Sequence, residues 1–447
     1  MIDMIYLAQV DETAPSAIEQ KTTQIQQSGM IHSKVAGRFE VVKELPKEAK
    51  SFDEMFEYAD AFGKIRLGYI NSAHKISSTR ANEEREATSL GGEFGFNTAE
   101  YNGFRLHMSA YVSQGLTFLN PDANELNGDF FDLNADSFVY LGEANIEFNY
   151  SNLQSKFGRV KVETPYANSD DIRMAANTFE GAWANIEYTP ELTTQLFYFD
   201  RWAGYDSQNA DINASQNEFK DLVDSDSFGM IGASLTYEYA KNSEASLWYN
   251  YIDSMAAIAY AEVVGIYFMD SERIHLDYGL QASSMKELDD SGVDGEVLGA
   301  MAIMHYDGFF FGGAYNIAYS DVGKTVTNGF GGGPYYTSLD EATISAISEG
   351  YGDFQNSNST KSFKNNNAEA FRVGVGYEFE NISLDGLVLE LVYGELYNEK
   401  GRIKESDVML TYDVTDKLYL EAVFTTYKSS CDNNTFDRSL VRLDYNF

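Results

Sequence analysis

Residues 274–283 read Ile-His-Leu-Asp-Tyr-Gly-Leu-Gln-Ala-Ser, and their period is two. Ile274, Leu276, Tyr278, Leu280 and Ala282 fall on one side, and His275, Asp277, Gly279, Gln281 and Ser283 on the other. A strand sends alternate side chains to opposite faces, so this stretch is a strand with one apolar and one polar face. Residues 371–379 repeat the pattern, with Phe371, Val373, Val375, Tyr377 and Phe379 set against Arg372, Gly374, Gly376 and Glu378. Residues 104–112 and 438–447 repeat it again. One such segment fits any half-buried sheet, so the decision rests on number and length.

About eighteen segments qualify: 62–71, 88–97, 103–114, 137–149, 153–162, 181–189, 192–201, 227–239, 244–253, 257–268, 273–284, 296–306, 308–320, 368–379, 386–397, 404–413, 417–427 and 437–447. Most run 8–13 residues. A tilted strand crossing a bilayer needs about 9–11 residues, whereas strands of soluble proteins average about 5–6. The connections alternate. Short ones lie at 189–191, 240–243, 269–272, 307–308 and 414–416, and long ones at 72–87, 115–136, 163–180, 202–226, 285–295 and 321–367. Turns at one end and loops at the other are the layout of a transmembrane antiparallel β-barrel, with both termini on the turn side and an even strand number.

Composition agrees. The 447 residues include 31 Tyr, 30 Phe and 36 Gly but only 6 Pro and 1 Cys. Aromatic pairs such as Tyr237 and Tyr239, Tyr315 and Tyr319, and Tyr393 and Tyr397 sit near segment ends, as in interfacial girdles. The mean hydropathy of −0.34 is too polar for a helical membrane protein. The most apolar stretch, 256–269, is too short for a spanning helix and carries Glu262. Met1–Ala8 lacks a basic n-region, so the expectation is that a secretory leader has been removed before or within this sequence. Cys431 stands alone and forms no internal disulfide.

With 32 Lys plus Arg against 69 Asp plus Glu, the net charge is −37. That excludes phosphate-tracking nucleic-acid binders. Side-chain parity sends Lys64, Arg66, Arg105, Arg159, Lys161, Arg372, Arg438 and Arg442 into the lumen. It also sends Glu143, Glu147, Glu238, Asp277, Glu378 and Glu390 there. Barrel closure brings Arg438 and Arg442 beside Lys64 and Arg66, which predicts a basic arc facing an acidic remainder. The alternative is pairing of each charge with its strand neighbour. The surplus acid belongs to loops, as in 200–226, where seven acids meet only Arg201 and Lys220.

Two regions depart from the barrel pattern. Residues 1–61 form a lead-in, in which Ser51 and Glu54 make an S-x-x-E capping box and Phe52, Met55, Phe56 and Ala59 follow at helical spacing. This predicts a short helix before the barrel of residues 62–447; a plug within the lumen is the alternative. Residues 321–367 read as a long exposed extracellular loop. Its Gly329-Phe330-Gly331-Gly332-Gly333 run has no following Gly-Lys-Ser/Thr, so it is not a phosphate loop. Five scattered His and one Cys give no zinc spacing, and no G-x-S-x-G elbow occurs. A barrel enzyme would want an outward Ser/His pair, but His107 and His275 point inward by parity. The reading is a channel without catalysis and without a required cofactor.

The segment Gly158–Gly181, GRVKVETPYANSDDIRMAANTFEG, resembles the corresponding region of OprD-type outer-membrane porins. The likeness lies in Gly158-Arg159, Thr164-Pro165, Asp170-Asp171-Ile172-Arg173 and Thr178-Phe179-Glu180-Gly181; Ala175-Ala176 stand where the family often has proline. The first strand, Phe62–Tyr69, and the acidic composition look closer to the campylobacter-type major porins. The resemblance spans residues 50–447 and implies eighteen strands with a third outer loop, 163–180, folded inward. Tyr166, Asp170, Asp171, Arg173 and Glu180 would then line the constriction. Phe447 resembles the terminal signal read by the barrel assembly machinery. The resemblance also implies a Gram-negative outer-membrane location among lipid and lipopolysaccharide, passage of small hydrophilic solutes, and a homotrimer. Acidic mouths favour cations. A channel selective for small carboxylates or amino acids, and an adhesin using the 321–367 loop, are the alternatives. Ca²⁺ held by clustered Asp is a further expectation, with no ligands singled out.

Overall fold

The computed structural model describes residues 47–76, 81–210, 215–271, 273–342, 365–399, 401–430 and 434–447. Residues 1–46 of the lead-in lie outside this set. A six-residue helix, α1 (Phe52–Glu57), precedes the barrel. Ser51 caps it, its hydroxyl accepting from the Glu54 amide at 3.2 Å. The Glu54 carboxylate accepts not from Ser51 but from the Lys50 amide, at 2.7 Å. Met55 is buried, and its carbonyl accepts from the Ala99 amide of a turn. The helix is thus clipped to the turn end of the barrel rather than inserted as a plug.

The barrel strands are β1 (Asp60–Ile76), β2 (Ala81–Asn97), β3 (Phe104–Gly115), β4 (Phe138–Tyr150), β5 (Leu153–Val160), β6 (Thr178–Thr189), β7 (Leu192–Ala203), β8 (Met230–Ala240) and β9 (Ser243–Ile252). They continue as β10 (Ala256–Ser271), β11 (Ile274–Glu287), β12 (Gly295–Tyr306), β13 (Phe309–Tyr319), β14 (Ala368–Glu378), β15 (Leu387–Asn398), β16 (Arg402–Thr415), β17 (Leu418–Ser429) and β18 (Thr435–Asn446). Each pairs antiparallel with the next, and β18 closes on β1 in the register Lys64↔Asn446 to Lys75↔Thr435. The sheet also includes the two-residue strand Lys220–Asp221, added to β7. Among the described residues no helix is long and apolar enough to cross a membrane; the strands do so.

All eighteen expected segments are present, and one expected loop is not. Residues 72–87 are mostly strand: β1 and β2 are each 17 residues and stay paired from Asp60↔Asn97 to Ile76↔Ala81. Their charged residues, Glu83, Glu84 and Arg85, broke the apolar alternation and hid the continuing ladder. Beyond the bilayer the outward face no longer meets hydrocarbon, so period two fades while hydrogen bonding persists.

The faces are inverted relative to a soluble protein. On β11, Leu280 is 60% exposed, whereas Asp277 is fully buried. Leu67, Leu235, Leu247, Leu298, Phe309, Phe311, Val375, Phe424 and Tyr445 are exposed alike around the ring. A continuous apolar belt of this extent requires a nonaqueous neighbour.

Candidate functional site

The interior is crossed by two loops. The first, residues 161–177 between β5 and β6, begins with a tight two-residue hairpin, Glu163–Thr164 paired with Ala167–Asn168. At its tip the Tyr166 hydroxyl lies 2.6 Å from that of Ser283 on β11, and the Tyr166 ring is edge-on to Tyr260. Five residues on, Asp171 reaches the opposite wall. Arg66 of β1 grips it bidentately, Nη1 to Oδ1 at 2.6 Å and Nη2 to Oδ2 at 3.1 Å, and Lys64 donates as well. Arg442 of β18 donates to the Asp171 carbonyl. Since β11 lies roughly halfway round the ring from β1, the loop spans the lumen. Burial alone would raise the Asp171 carboxyl, but Arg66 and Lys64 outweigh it and hold it well below the usual carboxylate range.

The other expected constriction residues are placed differently. Asp170, at a left-handed φ of 34°, hydrogen-bonds with Asp206, whose carboxyl is pushed up by burial. Arg173 donates to Asp129 at 3.0 Å, and its guanidinium lies 4.6 Å from the Tyr205 ring centre, tying in two further loops. Glu180 belongs to β6, not to the loop, and accepts from Arg159 at 3.0 Å. Ala175 and Ala176 pack fully buried against Tyr111 and Phe138, where no larger side chain is needed.

The second loop corrects an expectation. Residues 325–342 are not an exposed extracellular element: Val326, Tyr335, Tyr336 and Leu339 are buried inside the barrel. The Tyr336 hydroxyl donates to Glu262 of β10 at 2.7 Å, and Thr337 binds Asn316 of β13. Asp340 and Glu341 both pair with Arg438, and the Glu341 amide donates to Glu405 at 2.8 Å. Residues 343–364 lie outside the described set. The two loops meet in the lumen through a bridge between Ala167 and Phe330. The Phe330 amide donates to the Tyr166 carbonyl at 2.9 Å, and the Asn168 amide to the Phe330 carbonyl at 3.0 Å. This explains the glycine run. Gly329 has φ +80°, and a Cβ there would stand 2.3 Å from the Tyr166 carbonyl oxygen. Only glycine permits so close an approach.

The predicted arc is assembled, but it is neutralised. Arg66 also reaches Asp444 at 2.8 and 2.7 Å; Arg442 reaches Glu421 at 3.0 Å; Arg105 reaches Glu147 at 2.7 Å; Lys161 reaches Glu93 at 3.3 Å and approaches Glu143 at 3.8 Å. Arg372 is buried on β14 and donates to the Ser338 carbonyl of the second loop. The acids Glu390, Glu405, Asp407 and Asp277 are buried on the lumen face, Glu378 is partly exposed, and Glu238 lies exposed near the turn end. Sequence reasoning missed Tyr336, Asp340 and Glu341; the apolar Tyr335, Tyr336 and Leu339 within a polar loop were the available signal. It also missed Glu163, which is water-accessible yet enclosed by protein within the lumen and bonded to Ser169. Burial pushes its carboxyl up to about 7, against the opposing bonds from Ser169 and the charge of Lys161.

Phe447 ends the chain against β1, its amide donating to Gly63 at 3.0 Å. Among the described residues, one group of three metal-ligating side chains converges: His275, Asp277 and His305.

A closed eighteen-strand barrel with an apolar outer belt and a charged, loop-narrowed interior defines an outer-membrane channel protein. The model of the outer membrane porins of the OprD family matches residues 91–447, and the chain belongs to that family. Among solved structures it is similar to a BenF-like porin of Pseudomonas fluorescens (TM-score 0.70, 16% identity, 88% of this chain and 99% of that one). It is similar as well to Pseudomonas aeruginosa OpdL (0.67, 17%, 88% and 99%) and to OpdK of the same species with vanillate (0.68, 16%, 88% and 99%). No curated protein matches the chain by sequence.

Proposed function

We propose that this porin is a passive, water-filled channel for small hydrophilic solutes and ions that favours cations. One observation carries the reading: Lys64, Arg66, Arg105, Arg159, Lys161, Arg438 and Arg442 each have a carboxylate partner within the protein, and Arg372 is buried against the second loop, so the lumen presents no surplus of bare positive charge. Acids remain over, with Glu163 open and Glu378 partly open to water. Charge lining a narrow aqueous path selects counter-ions. The measurement is the reversal potential of the refolded protein in a planar bilayer under a KCl gradient. Cation preference is expected, and anions carrying most of the current sink the proposal.

A second reading, selectivity for small carboxylates, is favoured by Asp171 itself. Its carboxylate occupies a cradle of Lys64 and Arg66 into which a solute carboxylate would fit. The vanillate held by the similar OpdK is a solute of that chemistry. Competition of a small carboxylate with chloride current distinguishes the two readings. Assembly through Phe447, contact with lipopolysaccharide and a homotrimeric state belong to the same proposal. The adhesin alternative is weakened because residues 325–342 face inward.

A further inference from the structure

We propose that His275, Asp277 and His305 bind a divalent transition-metal cation of the zinc class on the channel wall. The site lies close to the turn end of the barrel, where β11 begins and β12 ends. His275 and His305 are direct cross-strand partners, and Asp277 shares their face two residues along β11. The argument starts from Asp277. Its carboxylate is fully buried, and neither oxygen has a hydrogen-bond partner. An unsatisfied buried carboxylate is costly and calls for a compensating cation. Its nearest neighbours are His305 Nε2 at 3.4 Å and His275 Nε2 at 3.6 Å. The first is long for a charge-assisted hydrogen bond and the second is outside hydrogen-bond range.

Those separations suit a different purpose. Tetrahedral ligands about 2.0–2.1 Å from zinc stand about 3.4 Å from one another. The three ligand atoms here all lie within 4.8 Å of each other, so a shift of well under a rotamer change brings them onto one ion. The rest of the surroundings agree. The imidazoles are stacked, centroids 4.2 Å apart and 13° from parallel, an arrangement that two imidazolium charges would oppose and two neutral ligands accept. Phe268 and Phe310 flank the pair at 5.7 and 5.6 Å and fix the rings. Glu378 Oε1 stands 3.9 Å from His305 Nδ1, on the side away from Asp277. That is beyond hydrogen-bond range, but a side-chain movement of about 1 Å would make Glu378 the carboxylate that commonly orients a ligating histidine. Two imidazoles and one carboxylate suit Zn²⁺, Ni²⁺ or Cu²⁺, whereas Ca²⁺ takes oxygen ligands. The partly exposed side of His275 leaves the fourth position to water.

The test uses the full chain refolded in detergent, stripped with chelator and titrated with Zn²⁺ by calorimetry. One Zn²⁺ per chain is expected, not displaced by equimolar Ca²⁺. His275→Ala, His305→Ala and Asp277→Asn each weaken binding about tenfold or more, and Glu378→Gln does so by up to about that factor. His107→Ala, a lumen histidine elsewhere, leaves binding unchanged. Heat-modifiable gel mobility confirms that each variant is a folded barrel. Co²⁺ in place of Zn²⁺ is expected to show the visible absorption of a tetrahedral site. Absence of stoichiometric Zn²⁺ binding to the folded wild type overturns the proposal, as does binding that survives in the folded His275→Ala, His305→Ala double variant.

Discussion

Asp171 and Arg66 face each other across the foot of the inward loop, their two parallel contacts at 2.6 and 3.1 Å pinning a segment that touches the far wall through Tyr166. The pair sets both how far the loop reaches and how the local charge balances. Removing one partner of a buried ion pair costs up to about 3–5 kcal/mol, mainly because the other charge is left uncompensated. Asp171→Asn should therefore free Lys64 and leave Arg66 with Asp444 as its carboxylate partner. Single-channel conductance is expected to rise and the reversal potential to move toward anions. Unchanged values in both would show that the loop is held by other contacts.

The pH dependence should come from Glu163. Its carboxyl titrates near 7, so it is neutral in mild acid and negative in mild base. Cation preference is then expected to rise from pH 6 to pH 8, and Glu163→Gln should flatten that rise. Stability runs the other way. The folded state holds this proton more tightly than the unfolded chain, so the Glu163 contribution is most favourable in acid. It is lost as pH climbs from the ordinary glutamate range through 7. Selectivity that is flat in the wild type between pH 6 and pH 8 would remove Glu163 from the conducting path.

The strands were legible because lipid on one side and water on the other impose period two on every crossing segment. The residues of the first inward loop were legible only through a family likeness, and their partners were not. Asp171 and Glu180 look alike in sequence, yet one spans the lumen and the other sits on β6. The second loop was misread because Gly, Thr, Ser, Pro, Asn and acidic residues together outnumber its apolar ones, and burial within a polar lumen does not demand apolar composition. His275 and His305 are thirty residues apart in the chain, too far for any motif, and only strand register brings them opposite.

The belt can be tested by contrast within β11. Leu280 faces lipid, and its neighbour Gln281 is buried toward the lumen, donating to the Pro334 carbonyl at 3.1 Å. Leu280→Arg is expected to cost about 2–4 kcal/mol near the bilayer midplane. Gln281→Leu loses the bond to Pro334 and the one its Oε1 accepts from Asn316 at 3.3 Å, each worth about 0.5–1.5 kcal/mol, but gains an apolar side chain against the loop and so is expected to cost less. Urea unfolding in lipid vesicles checks the order. A reversal of the two would mean that the faces are assigned the wrong way round.

The second loop docks where the wall has no side chain. A Cβ on Gly279 would stand 2.6 Å from the Tyr336 hydroxyl, and one on Gly394 would stand 2.6 Å from Leu339 Cδ1. Neither glycine has a positive φ, so the requirement at both is space rather than backbone conformation. Overpacking of this kind costs about 1–3 kcal/mol, enough to shift a loop held by a few hydrogen bonds but not to open an eighteen-strand ring. Gly279→Val should leave gel mobility of the folded barrel intact, expel Tyr336 from its bond to Glu262, and make residues 325–342 accessible to added protease. Conductance is expected to increase together with cleavage. Protease resistance equal to wild type, in a barrel of normal mobility, would show that the loop stays in the lumen without this seat.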